Sequence, residues 1–160
     1  MTARKTPRPT AAARRPAVAG ARANAATAAP ATSRPREPEP RTRVFTYGTL
    51  MVGESNHRLL AHARLIGEAR TREEFTLYDL GSFPGIVRGG DNAILGEVYE
   101  VDEPTLAALD RLESPPRFYR RTTIRLATGE DVEAYLLPPE LVVGRPIIPS
   151  GSWRTRKAAP

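Results

Sequence analysis

Glu113 is the side chain in this sequence best placed to move a proton. It stands one residue past Leu112, and on a helical wheel it falls near Leu106 and Leu109, seven and four positions back. A carboxylate beside an apolar stripe at a helix end loses water and faces the negative end of the helix dipole. Both effects raise its pKa, which suits a general base working near neutral pH. The same position also fits an ordinary helix-end glutamate paired with Arg117, Arg120 or Arg121. Glu97 is the rival carboxylate, set in an apolar run on the same side as Leu95 and Tyr99 by alternation, or turned to solvent. Asp110 lies near Leu106 on the same wheel and is a further candidate, or a surface residue. Tyr119 offers a phenol either to a ligand or to the core. Arg88 and Arg120 are candidate partners for a bound carboxylate, or plain surface cations.

A base needs donors facing it. Val44-Phe45-Thr46-Tyr47-Gly48-Thr49-Leu50 reads as a short apolar strand running into a tight turn. Gly48 permits a backbone shape and a close approach that a side chain would forbid. Such a turn can aim consecutive backbone N–H groups at one point, or it is simply the first strand of a domain and its turn.

Other chemistries find little support. The sequence has no cysteine, so thiol nucleophiles, thiolate metal sites and disulfides are excluded. His57 and His62 are the two histidines, five apart and without the glutamate-bearing zinc spacing, so no metal site is expected. Gly81-Ser82-Phe83-Pro84-Gly85 is not a nucleophile elbow, because Ser is not central. Phosphate loops and dinucleotide fingerprints are absent. Carboxylates, hydroxyls and backbone amides remain.

The elements that must position these groups follow the strand and turn at 44–50. Ser55 is expected to cap a short helix holding Leu59 and Leu60. Strands are expected near Leu65–Ala69 and over Phe75–Tyr78, the second with alternating apolar residues. Asp79 to Gly85 reads as a loop, Ile86-Val87 as a short strand, and Gly89 to Asn92 as a turn. Leu95 to Val101 is a strand. Asp102 then caps a helix with Pro104 in its first turn, Leu106, Leu109 and Leu112 on one stripe, and an end near Glu113-Ser114 forced by Pro115-Pro116. Phe118–Leu126 and Val132–Leu137 form a hairpin about Gly129. Pro149 to Arg154 is a loop anchored by Trp153. Strands do not alternate with long helices, so the expected class is α+β, with a small mixed barrel or strongly bent sheet and short flanking helices.

Charge divides the chain at about residue 42. Residues 1–42 hold nine Lys and Arg against two Glu, a net of +7, whereas the whole chain is +6, so residues 43–160 carry −1. Seven of the 16 prolines lie in the first segment, and large apolar side chains are nearly missing from it. It is expected to be a disordered basic tail preceding one domain over 43–160. An Arg-rich arm of this kind could touch nucleic acid or an anionic surface, or be a solvated extension. The domain itself gives no electrostatic reason to expect nucleic acid. No run approaches the ~18 apolar residues of a membrane span, and no apolar signal core is found near residue 1. A cytoplasmic protein without a membrane partner is the expectation.

Together these pieces resemble the γ-glutamylcyclotransferase-like superfamily, most closely its γ-glutamylamine cyclotransferase branch. The resemblance is carried by Val44 to Leu50, Asn56-His57-Arg58-Leu59-Leu60 and Gly96-Glu97-Val98-Tyr99-Glu100-Val101-Asp102-Glu103. It continues through Leu109-Asp110-Arg111-Leu112-Glu113-Ser114 and Tyr119-Arg120-Arg121. It spans about residues 43–138, and the Pro-Ser-Gly-Ser-Trp-Arg run is similar to bacterial members. The tail at 1–42 is not part of the family pattern, and the stretches 51–55 and 79–92 are where members differ.

The resemblance implies a small barrel-containing mixed fold whose Tyr-Gly-Thr-Leu turn faces one catalytic glutamate, carried over onto Glu113. It implies that Tyr47, Gly48, Thr49 and Leu50 hold the γ-glutamyl end of a small-molecule substrate, with Tyr119 able to add a hydrogen bond. The α-amino group would attack the γ-carbonyl, close 5-oxoproline and expel an amine, with neither metal nor cofactor. Two competing expectations stand beside it. One is a non-catalytic ligand- or protein-binding module on the same fold. The other places function in the basic tail.

Overall fold

The structure, a computed structural model, describes residues 38–113 and 119–156. The expected disordered tail therefore lies, over 1–37, outside the described residues, as do the Pro115-Pro116 break and Phe118. Among the described residues, no helix is long and apolar enough to cross a membrane.

The described residues form seven strands and one α-helix: β1 (Thr42–Thr46), β2 (Arg64–Arg70), β3 (Phe75–Asp79), β4 (Pro84–Arg88), β5 (Leu95–Val101), α1 (Glu103–Glu113), β6 (Arg120–Arg125) and β7 (Asp131–Leu136). Five strands form one sheet in the order β2-β5-β1-β7-β6, while β3 and β4 form a separate hairpin. The first strand thus lies in the middle of the sheet, antiparallel to β5 and parallel to β7. Its position explains its sequence. Val44 and Phe45 are both within 1 % of complete burial although they point to opposite faces. A strand covered on both faces loses the polar alternation of a half-exposed one.

The sheet is strongly bent, and α+β with a bent sheet is the observed class. The bend brings the ends of its two edge strands together. Thr71 bridges Leu126, the Arg72 N–H donates to the Arg125 carbonyl (3.2 Å), and the Ala127 N–H donates to the Arg70 carbonyl (2.8 Å). The contact is local, so the sheet curls without closing into a barrel. The β3–β4 hairpin is tied to it by the Leu137 N–H donating to the Ile86 carbonyl (2.9 Å).

Helix α1 begins and ends where its sequence demands. The Asp102 carboxylate accepts the Thr105 N–H at 2.9 Å, closing the cap. Leu106 and Leu109 are buried. They pack with Val44, Leu60, Tyr99 and Val101 on one face of the sheet, whereas Phe45, Phe75, Leu77, Ile86 and Trp153 belong to a second core.

Two local expectations are corrected. The short helix is a 3-10 turn over His57–Leu60 preceded by Asn56, not capped by Ser55. The Asn56 side chain makes no cap bond because it turns back to Thr49 (3.0 Å). Pro84 and Gly85, expected in a loop, begin β4 opposite Asp79 and Tyr78. Proline is tolerated there because it is the first residue of a strand.

Candidate active site

β1 delivers the turn. Past Thr46 the chain leaves the sheet, and the Met51 N–H donates to the Gly48 carbonyl at 3.1 Å, closing the turn. Among the described residues, the N–H groups of Gly48, Thr49 and Leu50 donate to no backbone or side-chain acceptor. Asn56 braces the turn. Its backbone N–H donates to the Thr49 carbonyl (2.9 Å) and its Nδ2 to Thr49 Oγ1 (3.0 Å). His57 is occupied locally, with Nδ1 3.0 Å from the Leu50 carbonyl oxygen.

α1 delivers Glu113 from its last turn. The carboxylate makes no hydrogen bond or ion pair among the described residues. Arg121, one of its expected partners, instead lies 3.4 Å from Asp110, and Arg120 is exposed. Burial alone raises the Glu113 carboxyl from its ordinary value to about 7. The helix end is stapled to the start of β6, because the Tyr119 N–H donates to the Glu113 carbonyl (3.4 Å).

Turn and glutamate line one cavity of ≈ 320 Å³. Tyr47, Gly48, Thr49, Leu50, Glu113 and Tyr119 all line it. The cavity lies where the two cores meet, since Phe45 and Tyr47 belong to one and Leu50, Tyr119 and Tyr135 to the other. Its size falls at the lower end of small-ligand pockets, ~300–1,000 Å³.

Three phenols build its walls, and none has a free proton to offer. Tyr119 donates to the Pro84 carbonyl (2.6 Å), Tyr47 to the Tyr135 carbonyl (2.6 Å), and Tyr135 to the Asp110 carboxylate (2.6 Å). Tyr47 also accepts the Ile86 N–H at 3.3 Å. Burial pushes all three phenols above their ordinary value, with the Glu113 charge a smaller contribution in the same direction. Tyr119 therefore offers the cavity a ring and a lone pair, its donor being engaged by Pro84.

The rival carboxylates lie elsewhere. Glu97 is 4 % exposed but does not line the cavity. It accepts from the Val52 N–H, Arg154 and Tyr99. Burial works to raise its pKa, and these bonds outweigh it, holding the carboxyl below the usual range. Arg88 pairs with Glu74 (3.2 Å) and lies over Phe75. Asn56, Pro84 and Tyr135 line the cavity without having been singled out as site residues. Asn56 lay within a quoted motif. Pro84 and Tyr135 carried no local signal, because only strand pairing brings them to the turn.

Comparison with known proteins gives the family. The sequence pattern of the family described as "Gamma-glutamyl cyclotransferase, AIG2-like" matches residues 44–155. The gamma-glutamylcyclotransferase family protein YtfP of Escherichia coli K12 is 36% identical over 115 residues, 71% of this chain and 97% of that one. Gamma-glutamylaminecyclotransferase of Bos taurus is 43% identical over 93 residues, 52% of this chain and 55% of its own length. The crystal structure of c4763, a uropathogenic E. coli-specific protein, matches with a TM-score of 0.66 at 28% identity, over 74% of this chain and 97% of that one. The chain belongs to the AIG2-like gamma-glutamyl cyclotransferase family.

Proposed function

We propose that the protein cyclises a γ-glutamyl amine or γ-glutamyl amino compound to 5-oxoproline and releases the free amine, with Glu113 as general acid and base. The observation that supports this most directly is the shared cavity: a carboxylate with a pKa of about 7, unpaired among the described residues, lines the same cavity as a turn whose three N–H groups are unclaimed among those residues.

Nucleophile and electrophile belong to one molecule, so the site has only to hold it folded. The substrate's α-ammonium cannot attack until it loses a proton, which the Glu113 carboxylate takes. The freed nitrogen lone pair forms a bond to the γ-carbonyl carbon, and the carbonyl electrons move to oxygen. When the carbonyl re-forms, the bond to the leaving nitrogen breaks and Glu113 returns a proton to that amine. The ring nitrogen, which still carries two hydrogens, gives one up to become the lactam N–H, and the released amine takes up a proton as its ammonium. Backbone N–H groups from Gly48 to Leu50 hold the substrate carboxylate or the developing oxyanion. The phenol rings exclude water, which strengthens both interactions.

Glu113→Gln tests the assignment. Release of 5-oxoproline from γ-glutamyl-ε-lysine, γ-glutamyl amino acids and glutathione is measured in turn. The variant is expected to lose ~10²-fold or more of the activity found for the best of these, with its fold and ligand binding retained. Full activity in Glu113→Gln would sink the mechanism. A wild-type protein that binds γ-glutamyl compounds but turns none over would make it a binding module.

A further inference from the structure

Glu97 is the buried carboxylate that the cavity leaves unused, yet it is wired to the turn that the cavity uses. Its Oε2 accepts the Val52 N–H (2.9 Å) and the Tyr99 hydroxyl (2.8 Å). Its Oε1 accepts Arg154 Nη2 (2.7 Å), and the same nitrogen donates to the Val52 carbonyl (2.8 Å). Val52 is thus gripped through both of its peptide groups. On the near side of the turn, the Thr46 hydroxyl donates to the Glu97 backbone carbonyl at 3.3 Å. One residue of β5 therefore holds the chain immediately before and immediately after the stretch 47–51.

Packing cannot do this work at Val52, whose side chain is 48% exposed. Nor is a buried ion pair an efficient source of stability, because desolvation consumes most of the attraction. What charge-assisted bonds do supply is geometry: they are short, directional and roughly twice as strong as neutral ones.

We propose that Glu97 and Arg154 are positioning residues for the substrate-holding turn, clamping Val52 so that the Gly48, Thr49 and Leu50 N–H groups keep their aim into the cavity. The proposal rests on the function given above. It makes the segment around Arg154, over a hundred residues from the turn in sequence, part of the apparatus that binds substrate.

Arg154→Ala is the informative variant, because Arg154 is partly exposed and Glu97→Gln would place an amide donor against the Val52 N–H within the core. With the γ-glutamyl compound that the wild type turns over best, KM is expected to rise on the order of 10-fold. The midpoint of the pH profile near 7 should stay in place, since Glu113 is untouched. Arg154→Lys, whose ammonium can still donate to both oxygens, should recover most of the loss. Unchanged KM and kcat in Arg154→Ala, with only a lowered Tm, would overturn the proposal. A second readout needs no substrate. The backbone amide NMR shifts of Gly48, Thr49 and Leu50 in the ligand-free protein should move in Arg154→Ala and return in Arg154→Lys. Shifts that stay at wild-type positions would overturn the clamp even in an active enzyme. Shifts that move in a protein releasing no 5-oxoproline would leave the clamp standing and remove the catalytic reading instead.

Discussion

Gly48 and Pro84 approach so closely that a β-carbon on Gly48 would lie 2.5 Å from Pro84 Cγ and 2.8 Å from Cδ. The glycine is there for space. It is not among the glycines with positive φ, so a left-handed backbone is not the reason. Because the Pro84 carbonyl also accepts the Tyr119 hydroxyl, pushing Pro84 moves a cavity wall. Gly48→Ala is expected to cost about 1–3 kcal/mol of stability by overpacking and to lower kcat/KM more than ~10-fold. Thermal denaturation and initial rates of 5-oxoproline release check both. A variant with wild-type kcat/KM would show that the turn has room to give.

In the proposed mechanism the Glu113 pKa sets the acid limb of the rate profile. Below about 7 the carboxyl is protonated and cannot take the ammonium proton. The expected kcat/KM therefore rises with pH through a midpoint near 7 and levels off above it. A midpoint in the ordinary carboxylate range, near 4.5, would remove Glu113 from the role of base.

The same shift predicts a stability cost for the functional group. A carboxyl whose folded pKa lies above its unfolded value binds its proton more tightly in the fold. Its stabilising contribution is complete below the unfolded pKa and is lost as pH rises through about 7. Glu113→Gln should therefore be more stable than wild type at pH 8, by up to about 3 kcal/mol. The difference should shrink towards pH 4. Urea titrations at the two pH values measure it; equal stability at pH 8 would mean that the carboxylate is not strained by burial.

Asn56 and Thr49 form a polarity relay that a single isosteric change can reverse. Asn56 Nδ2 donates to Thr49 Oγ1, so the Thr49 proton has to point elsewhere, and Thr49 lines the cavity. In Asn56→Asp the carboxylate accepts that proton instead. Asn56→Asp and Thr49→Val are each expected to raise KM ~10-fold, and the double variant no further, because both lose one donor. Additive losses would mean that the two side chains act separately.

Tyr47, just past β1, ties β7 to β4 through one hydroxyl, donating to the Tyr135 carbonyl and accepting from Ile86. Tyr47→Phe keeps the ring in the cavity wall but leaves those buried groups a partner short. It is expected to destabilise by about 1–3 kcal/mol in denaturant titrations, with a smaller effect on kcat than Glu113→Gln. A kcat loss as large as that of Glu113→Gln would give the phenol a chemical role.

Helix α1 and its carboxylate were legible because everything that fixes them is local. Asp102, Pro104, the leucine stripe and Glu113 lie within one dozen residues, and helical periodicity converts their spacing into a face. The turn at 47–50 was legible as a turn for the same reason. What sequence could not give was company at a distance. Nothing local tells a lone carboxylate in a strand that Arg154 will reach it, so Glu97 read as a possible base. Nothing local tells Tyr119 that a carbonyl of β4 will claim its proton. Pro84 read as loop because proline signals a break, whereas at the first position of a strand it breaks nothing.

The placement of β1 in the middle of the sheet has a consequence for how the protein comes into being. The ribosome makes this strand before its neighbours: β5 and β7 follow some 50 and 90 residues later, and Arg154 later still. Such long-range pairings close slowly. Until they form, Tyr47 to Leu50 have only their local bonds to Met51 and Asn56 to hold their shape. A nascent chain thus carries the turn through a long stretch of synthesis in which the sheet, Glu113 and the Arg154 clamp proposed to complete its site do not yet exist.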